Sequence, residues 1–198
     1  DNDDSTHPAL PAGTTQRYCL TTMQELPIAL KALLGRLGRA PGASSADHPP
    51  QVQVLVFFPT TRLTSYYAEA FRMSAGIHVL ETHSRMPKQA QENVSEMFWR
   101  RGGVLFTSDV SAHRDETTDM SDRGPGATAV VQVGLPSSVR QYHRRVALCR
   151  AGGAGYLILC DYEVACCMRE LPPELQRDDL EVNRDDLLWE VAAGDVEA

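Results

Sequence analysis

The 198-residue chain lacks several signatures, and each absence closes a class of function. It has no G-x-x-x-x-G-K-[ST] phosphate loop and no G-x-G-x-x-G after a strand, so it holds no self-contained nucleotide site of either kind. The five cysteines (Cys19, Cys149, Cys160, Cys166, Cys167) form no C-x-x-C pair. An odd count with two adjacent members suits neither a zinc site nor a disulfide framework, so buried thiols in a reducing compartment are expected. The six histidines show no i, i+4 pairing, and no G-x-S-x-G elbow is present. Metal-dependent and Ser–His–Asp hydrolysis are therefore not indicated. The longest apolar runs, such as Val54–Phe58, fall far short of the roughly 20 residues of a membrane span. The opening "DNDDSTHPALPAGTT" is acidic where a secretory signal is basic and then apolar, and no membrane partner is expected.

What is present suits one ordinary domain with a full core, at 42% hydrophobic residues. The net charge of −7 is unevenly spread: from Asp161 onward there are twelve Asp/Glu against three Lys/Arg, leaving fourteen acids and sixteen bases before it. The acidity belongs to a tail and does not bar an anionic ligand from the rest.

Residues 1–15 read as a disordered leader, 16–169 as the domain and 170–198 as an acidic extension carrying a short amphipathic piece, Asp185–Val191. "QRYCLT" predicts a strand. Leu26, Ala29, Leu30, Leu33, Leu34 and Leu37 recur at helical spacing and predict a helix over 25–37, ended by Gly38. "VQVLVFF" is a continuous apolar run of the kind buried on both faces of a parallel sheet. Helix "RLTSYYAEAFRMS", strand "IHVLET", helix "PKQAQENVSEMFWRR" and strand "GGVLFTS" follow. Strand "ATAVVQVG", helix "SSVRQYHRRVALC", strand "GYLILC" and a helix from Asp161 complete the series. This alternation predicts a three-layer α/β/α fold with a parallel sheet and helices on both faces. Ligands of such sheets gather at the carboxyl ends of the strands, which puts "PTTR", "THSR" and "TSDVSAHR" on one rim.

Arginine is the remaining chemistry. Its planar fork of donors matches phosphate oxygens. In "QYHRRVALCRAGGAG", His143 and Arg150 align on a helix while Arg144 and Arg145 are offset, with these neighbours left for solvent or RNA. Composition alone leaves this either a solvated helix or an anion-binding face, and the glycines read as its exit turn.

With these blocks in order, the chain resembles the C-terminal RecA-like domain (domain 2) of DEAD-box ATP-dependent RNA helicases over about residues 16–163. "QRYCLTTMQELPIALKALL" resembles its first strand and helix, and "VLVFFPTTRLTSYYAEAF" resembles motif IV. "LETHSRMPKQAQENVSEMF" is similar to the following block, "GGVLFTSDVSA" to motif V, and "VVQVGLPSSVRQYHRR" to the approach to motif VI. The resemblance implies RNA contacts for Thr60, Ser84, Arg85 and Ser108. It implies nucleotide-facing roles for Arg144, Asp109 and Asp115, and a transition-state role for Arg150. It also implies ATP with Mg2+, bound mainly by a first RecA-like domain of the same protein. RNA, and a ribonucleoprotein, are the implied partners. The implied location is intracellular: mitochondrial or another organelle, otherwise cytoplasmic or nuclear.

Three departures bear on activity. The family's motif V reads A-R-G-x-D, whereas here His113-Arg114 stand at Arg-Gly and an insertion follows, with Asp115 or Glu116 as the stand-in ribose ligand. Motif VI reads H-R-x-G-R-x-G-R; aligned on His143-Arg144 the first and last arginines survive and Ala147 replaces the middle one. Aligned on "QY", Leu148 takes that place. Lys88 and Gln91 also stand where close relatives have Gln and Arg. Loss of one transition-state arginine costs roughly 10³-fold in rate. The expectation is a helicase domain with degenerate motifs and weakened or lost ATP turnover; the alternatives are a structural or assembly platform in an RNA–protein particle and a fully active helicase.

Overall fold

The computed structural model describes residues 8–38, 52–73, 77–108, 126–167, 172 and 174–180. Seven strands, β1 (Thr15–Thr21), β2 (Gln53–Phe58), β3 (Val79–Thr82), β4 (Gly103–Ser108), β5 (Ala127–Val133), β6 (Cys149–Cys160) and β7 (Gln176–Arg177), form one sheet. Its order is β3-β4-β2-β5-β6-β1-β7, and every pairing is parallel. The helices are α1 (Leu26–Gly38), α2 (Thr61–Met73), α3 (Lys88–Arg101), α4 (Val139–Val146) and α5 (Asp161–Cys167).

Strand periodicity sorts the core into two layers. Val54, Val56 and Phe58 of β2 join the α1 and α2 side chains Leu30, Leu33, Tyr67 and Phe71 on one face. Leu55 and Phe57 join Phe98 of α3 and Tyr142 and Val146 of α4 on the other. All six β2 residues are buried, as a central parallel strand covered by helices requires. The sheet is thus the middle of three layers, the expected α/β/α architecture.

The expected helix over 137–149 is shorter. It is capped by Ser138, whose hydroxyl accepts from the Gln141 amide, and ends at Val146, because Cys149 already pairs with Ala127 of β5. The glycines that follow are not an exit turn. Pairing jumps from Ala127↔Cys149 to Ala129↔Ala154, so Arg150–Gly153 bulge out of the β5–β6 ladder inside the strand. A Cβ on Gly155 would lie 2.9 Å from Val146 Cγ1, and this missing side chain lets the end of α4 rest on β6.

Both chain ends of the expected domain gain structure. Leu10 of the expected leader packs on the second core layer, and the Gly152 amide donates to the Ala12 carbonyl (2.8 Å). From the extension, β7 pairs with β1, and Asp178 binds Arg36 through both oxygens (3.0 and 2.6 Å) and Arg17 (3.4 Å). The piece Asp185–Val191 lies outside the described residues. Cys19, Cys149 and Cys160 are buried and unbridged, and burial pushes their thiols up to about 11, 12 and 11. Among the described residues no helix is long and apolar enough to cross a membrane.

Candidate nucleic-acid interface

Sheet register builds the rim. Phe58 pairs with Ser108 and Thr82 with Thr107, so β3, β4 and β2 end level with one another. Thr60 therefore follows β2, and Ser84 and Arg85 follow β3, on the edge where β4 ends at Ser108. Thr60, Ser84 and Arg85 are exposed, whereas the Ser108 side chain is buried. Thr60 also starts α2: its Oγ1 accepts from the Leu63 amide (3.2 Å) and its carbonyl from the Thr64 amide (3.0 Å). Because the Oγ1 lone pair serves the helix, the hydroxyl proton is available to an acceptor such as a phosphate oxygen.

The turn carrying Ser84 and Arg85 is braced from beneath by buried His83. The Arg85 amide donates to His83 Nδ1 (3.2 Å), and Nε2 lies 3.0 Å from Ser65 Oγ of α2 and 3.2 Å from Glu81 Oε1. Arg72 of α2 donates to Glu81 Oε2 at 2.8 Å. Burial pushes the Glu81 carboxyl up, but hydrogen bonds from Ser65 and Arg72 and the Arg72 charge outweigh it and hold the group below its ordinary range. At the turn's exit the Met86 amide donates to the His83 carbonyl (3.0 Å) and Gln91 Nε2 to the Met86 carbonyl (2.7 Å). Thus Gln91 ties the turn to α3.

The arginines of α4 and β6 lie elsewhere. Arg150 lies at the opposite, amino-terminal edge, where β6 begins to pair with β5, and Arg144 lies on α4; both are exposed and are separated by the turn at Ala147 and Leu148. Arg145, expected to face solvent or RNA, instead points inward. It is 6% exposed, donates to Gln132 Oε1 of β5 (3.0 Å) and lies over the Phe57 ring (5.1 Å to the centroid). Gln132 Nε2 in turn donates to the Tyr142 carbonyl (3.4 Å). Burial also pushes the Tyr142 phenol well above its ordinary range. Asp109 and Asp115 lie outside the described residues. Among the described residues no cluster of three or more His, Cys, Asp or Glu could hold a metal ion.

The fold, a parallel sheet covered by helices on both faces and presenting Thr60, Ser84 and Arg85 from the ends of β2 and β3, is of the RecA-like class. No family model matches the chain. DEAD-box ATP-dependent RNA helicase 31 of Oryza sativa subsp. japonica is 36% identical over 115 residues, covering 56% of this chain and 20% of that protein. The mitochondrial ATP-dependent RNA helicase mss116 of Aspergillus oryzae is 32% identical over 110 residues, 54% of this chain and 16% of that protein. The chain spans about a fifth or less of the length of these relatives. Among solved structures, E. coli DEAD-box protein SrmB bound to regulator of ribonuclease activity A matches with a TM-score of 0.61 at 16% identity, over 83% of this chain and 90% of that one. Mss116p DEAD-box helicase domain 2 bound to an RNA duplex matches with a TM-score of 0.56 at 17% identity, over 86% and 66%. The chain's homologues are DEAD-box RNA helicases over more than half of its length, and its fold is that of their C-terminal RecA-like domain.

Proposed function

We propose that this chain is the RNA-binding C-terminal domain of a DEAD-box helicase whose ATP turnover is weakened or lost. The RNA reading rests on the exposed Thr60, Ser84 and Arg85 at the level ends of β2 and β3, on either side of β4. Hydroxyls and a guanidinium on one edge suit a sugar–phosphate backbone, which they would grip without reading sequence. The neighbour Mss116p domain 2, bound to an RNA duplex, supports the same ligand. The domain would comprise residues 16–169, with the 170–198 extension adding β7. An intracellular, organellar location accords with the mitochondrial Aspergillus relative.

For ATP with Mg2+, Arg144 and Arg150 are exposed and would meet the phosphates; Asp109 and Asp115 are proposed for the nucleotide as well. ATP would supply the energy of an open-to-closed cycle, and its phosphate loop, absent from these 198 residues, would come from a first RecA-like domain. Ala147 brings no charge to that edge, and Arg145 cannot replace it because its guanidinium is held by Gln132 beneath α4. This supports reduced turnover, since a transition-state arginine contributes roughly 10³-fold.

Binding of a labelled RNA duplex to the 198-residue chain tests the RNA reading. Arg85→Glu should weaken it about tenfold or more and lower the slope of log affinity against log salt by about one contact. An unchanged curve would reject the rim, and a folded chain that binds no RNA would leave a protein-binding platform.

A further inference from the structure

We infer that His83 is a positioning residue for RNA binding, holding the Ser84–Arg85 turn through the Arg85 amide and tying it to α2. The inference rests on the RNA reading of the rim and deepens it. Three observations lead to it. The ring nitrogen nearest the turn accepts the Arg85 N–H, so in the neutral ring the proton sits on Nε2. That nitrogen faces Ser65 Oγ at 3.0 Å and Glu81 Oε1 at 3.2 Å, two acceptors on two different elements. Glu81 is itself held by Arg72 of α2, the helix whose first turn is capped by Thr60. One buried imidazole therefore links the element that starts at Thr60 with the turn that carries Arg85.

Backbone recognition gives this link its consequence. A phosphate-binding edge reads the spacing of phosphates, so its donors must be held at a fixed separation. Thr60 and Arg85 sit on loops after different strands, β2 and β3, which are not neighbours because β4 lies between them. The Ser65–His83–Arg85 chain bridges that gap through side chains.

Asparagine and glutamine separate the two ring nitrogens. Asn Oδ1 falls near the place of Nδ1 and accepts an amide two residues on, as in an Asx turn. Gln reaches toward the place of Nε2 and leaves the Arg85 amide without its acceptor. In the RNA-duplex assay His83→Gln should bind about tenfold more weakly with a salt slope lowered by about one, like Arg85→Ala, while His83→Asn stays within about threefold of the parent. The His83→Gln, Arg85→Ala double variant should lose no more than Arg85→Ala alone, because both act on one contact. A purely structural histidine would give additive losses and an unchanged slope.

The failures are distinguishable. If Arg85→Ala binds like the parent, the rim reading itself falls. If Arg85→Ala weakens binding while His83→Gln does not, or if the two losses add, the positioning inference falls and the rim stands. Urea unfolding checks that each variant is folded. Should His83→Gln fail to fold, His83→Leu takes its place, since it likewise leaves the Arg85 amide without its acceptor, and a parent-like salt slope in that variant would overturn the inference.

Discussion

Arg145 on α4 and Gln132 on β5 form a charged hydrogen bond, 3.0 Å long, inside the layer between helix and sheet. Their residues are 6% and 0% exposed. Arg145→Ala removes this bond together with the guanidinium's packing on Phe57, and should cost about 2–4 kcal/mol in urea unfolding. Replacing both partners by apolar residues, Arg145→Met with Gln132→Leu, should cost far less than the sum of the single changes, since no polar group is then stranded. A cost for Arg145→Ala within about 0.5 kcal/mol, the range of ordinary surface changes, would show that the side chain faces solvent.

Gly155 and Val146 are a matched pair of a different kind. A methyl at 155 would meet Val146 Cγ1 at 2.9 Å and Cγ2 at 3.0 Å. Gly155→Ala should destabilise by about 1–3 kcal/mol, as overpacking does. Adding Val146→Ala should recover part of that loss, although Val146→Ala alone leaves a cavity. Denaturant unfolding of the three variants checks the sign of this coupling.

These two pairs show which parts of the fold were legible in the sequence. The α1 stripe and the apolar run of β2 carry their period in contiguous residues, and both elements form as read. The start of β6 carries no period, because Arg150–Gly153 bulge away from β5, and glycines that mark close approach look like turn glycines. The two-residue β7 is held by Asp178 bonding to Arg36, 142 positions away, which no local pattern announces. On the rim, motif order brought Thr60, Ser84 and Arg85 to notice. The support beneath them, Ser65, Glu81 and His83, is defined only by distances across α2 and β3. Gln132 had one signal, as the polar residue inside "AVVQV", but its partner is fixed only when α4 packs on the sheet.

Stability at the β1 edge should depend on acid. Hydrogen bonds from Arg36, working against burial, hold the Asp178 carboxyl below its ordinary value, helped by the Arg36 and Arg17 charges. A depressed folded-state value means the contribution is complete above the unfolded carboxylate value of about 3.9 and is lost as pH falls through the lower folded value. Asp178→Asn should therefore lower the urea midpoint at neutral pH, and its deficit relative to the parent should shrink on acidification. A deficit that stays constant down to the acid transition would show that the arginine contacts do not carry the effect.

Reduced ATP turnover should trace to position 147. Ala147 closes α4 with φ −61° and ψ −13°, ordinary helical angles that any residue but proline accepts, and it is half-buried near the edge where Arg150 is exposed. An arginine there would meet no backbone strain. It would stand where the helicase pattern, aligned on His143, places the middle arginine of motif VI. In the full-length protein, RNA-stimulated ATP hydrolysis should be low, should fall further in Arg150→Ala, and should rise about tenfold or more in Ala147→Arg. Affinity for the RNA duplex should stay unchanged in Ala147→Arg, because 147 lies at the opposite edge of the sheet from Thr60 and Arg85. Turnover already at ordinary helicase rates would overturn the reading. So would an Ala147→Arg variant that folds, binds RNA and hydrolyses ATP no faster than its parent, since the missing guanidinium would then not be what limits the site.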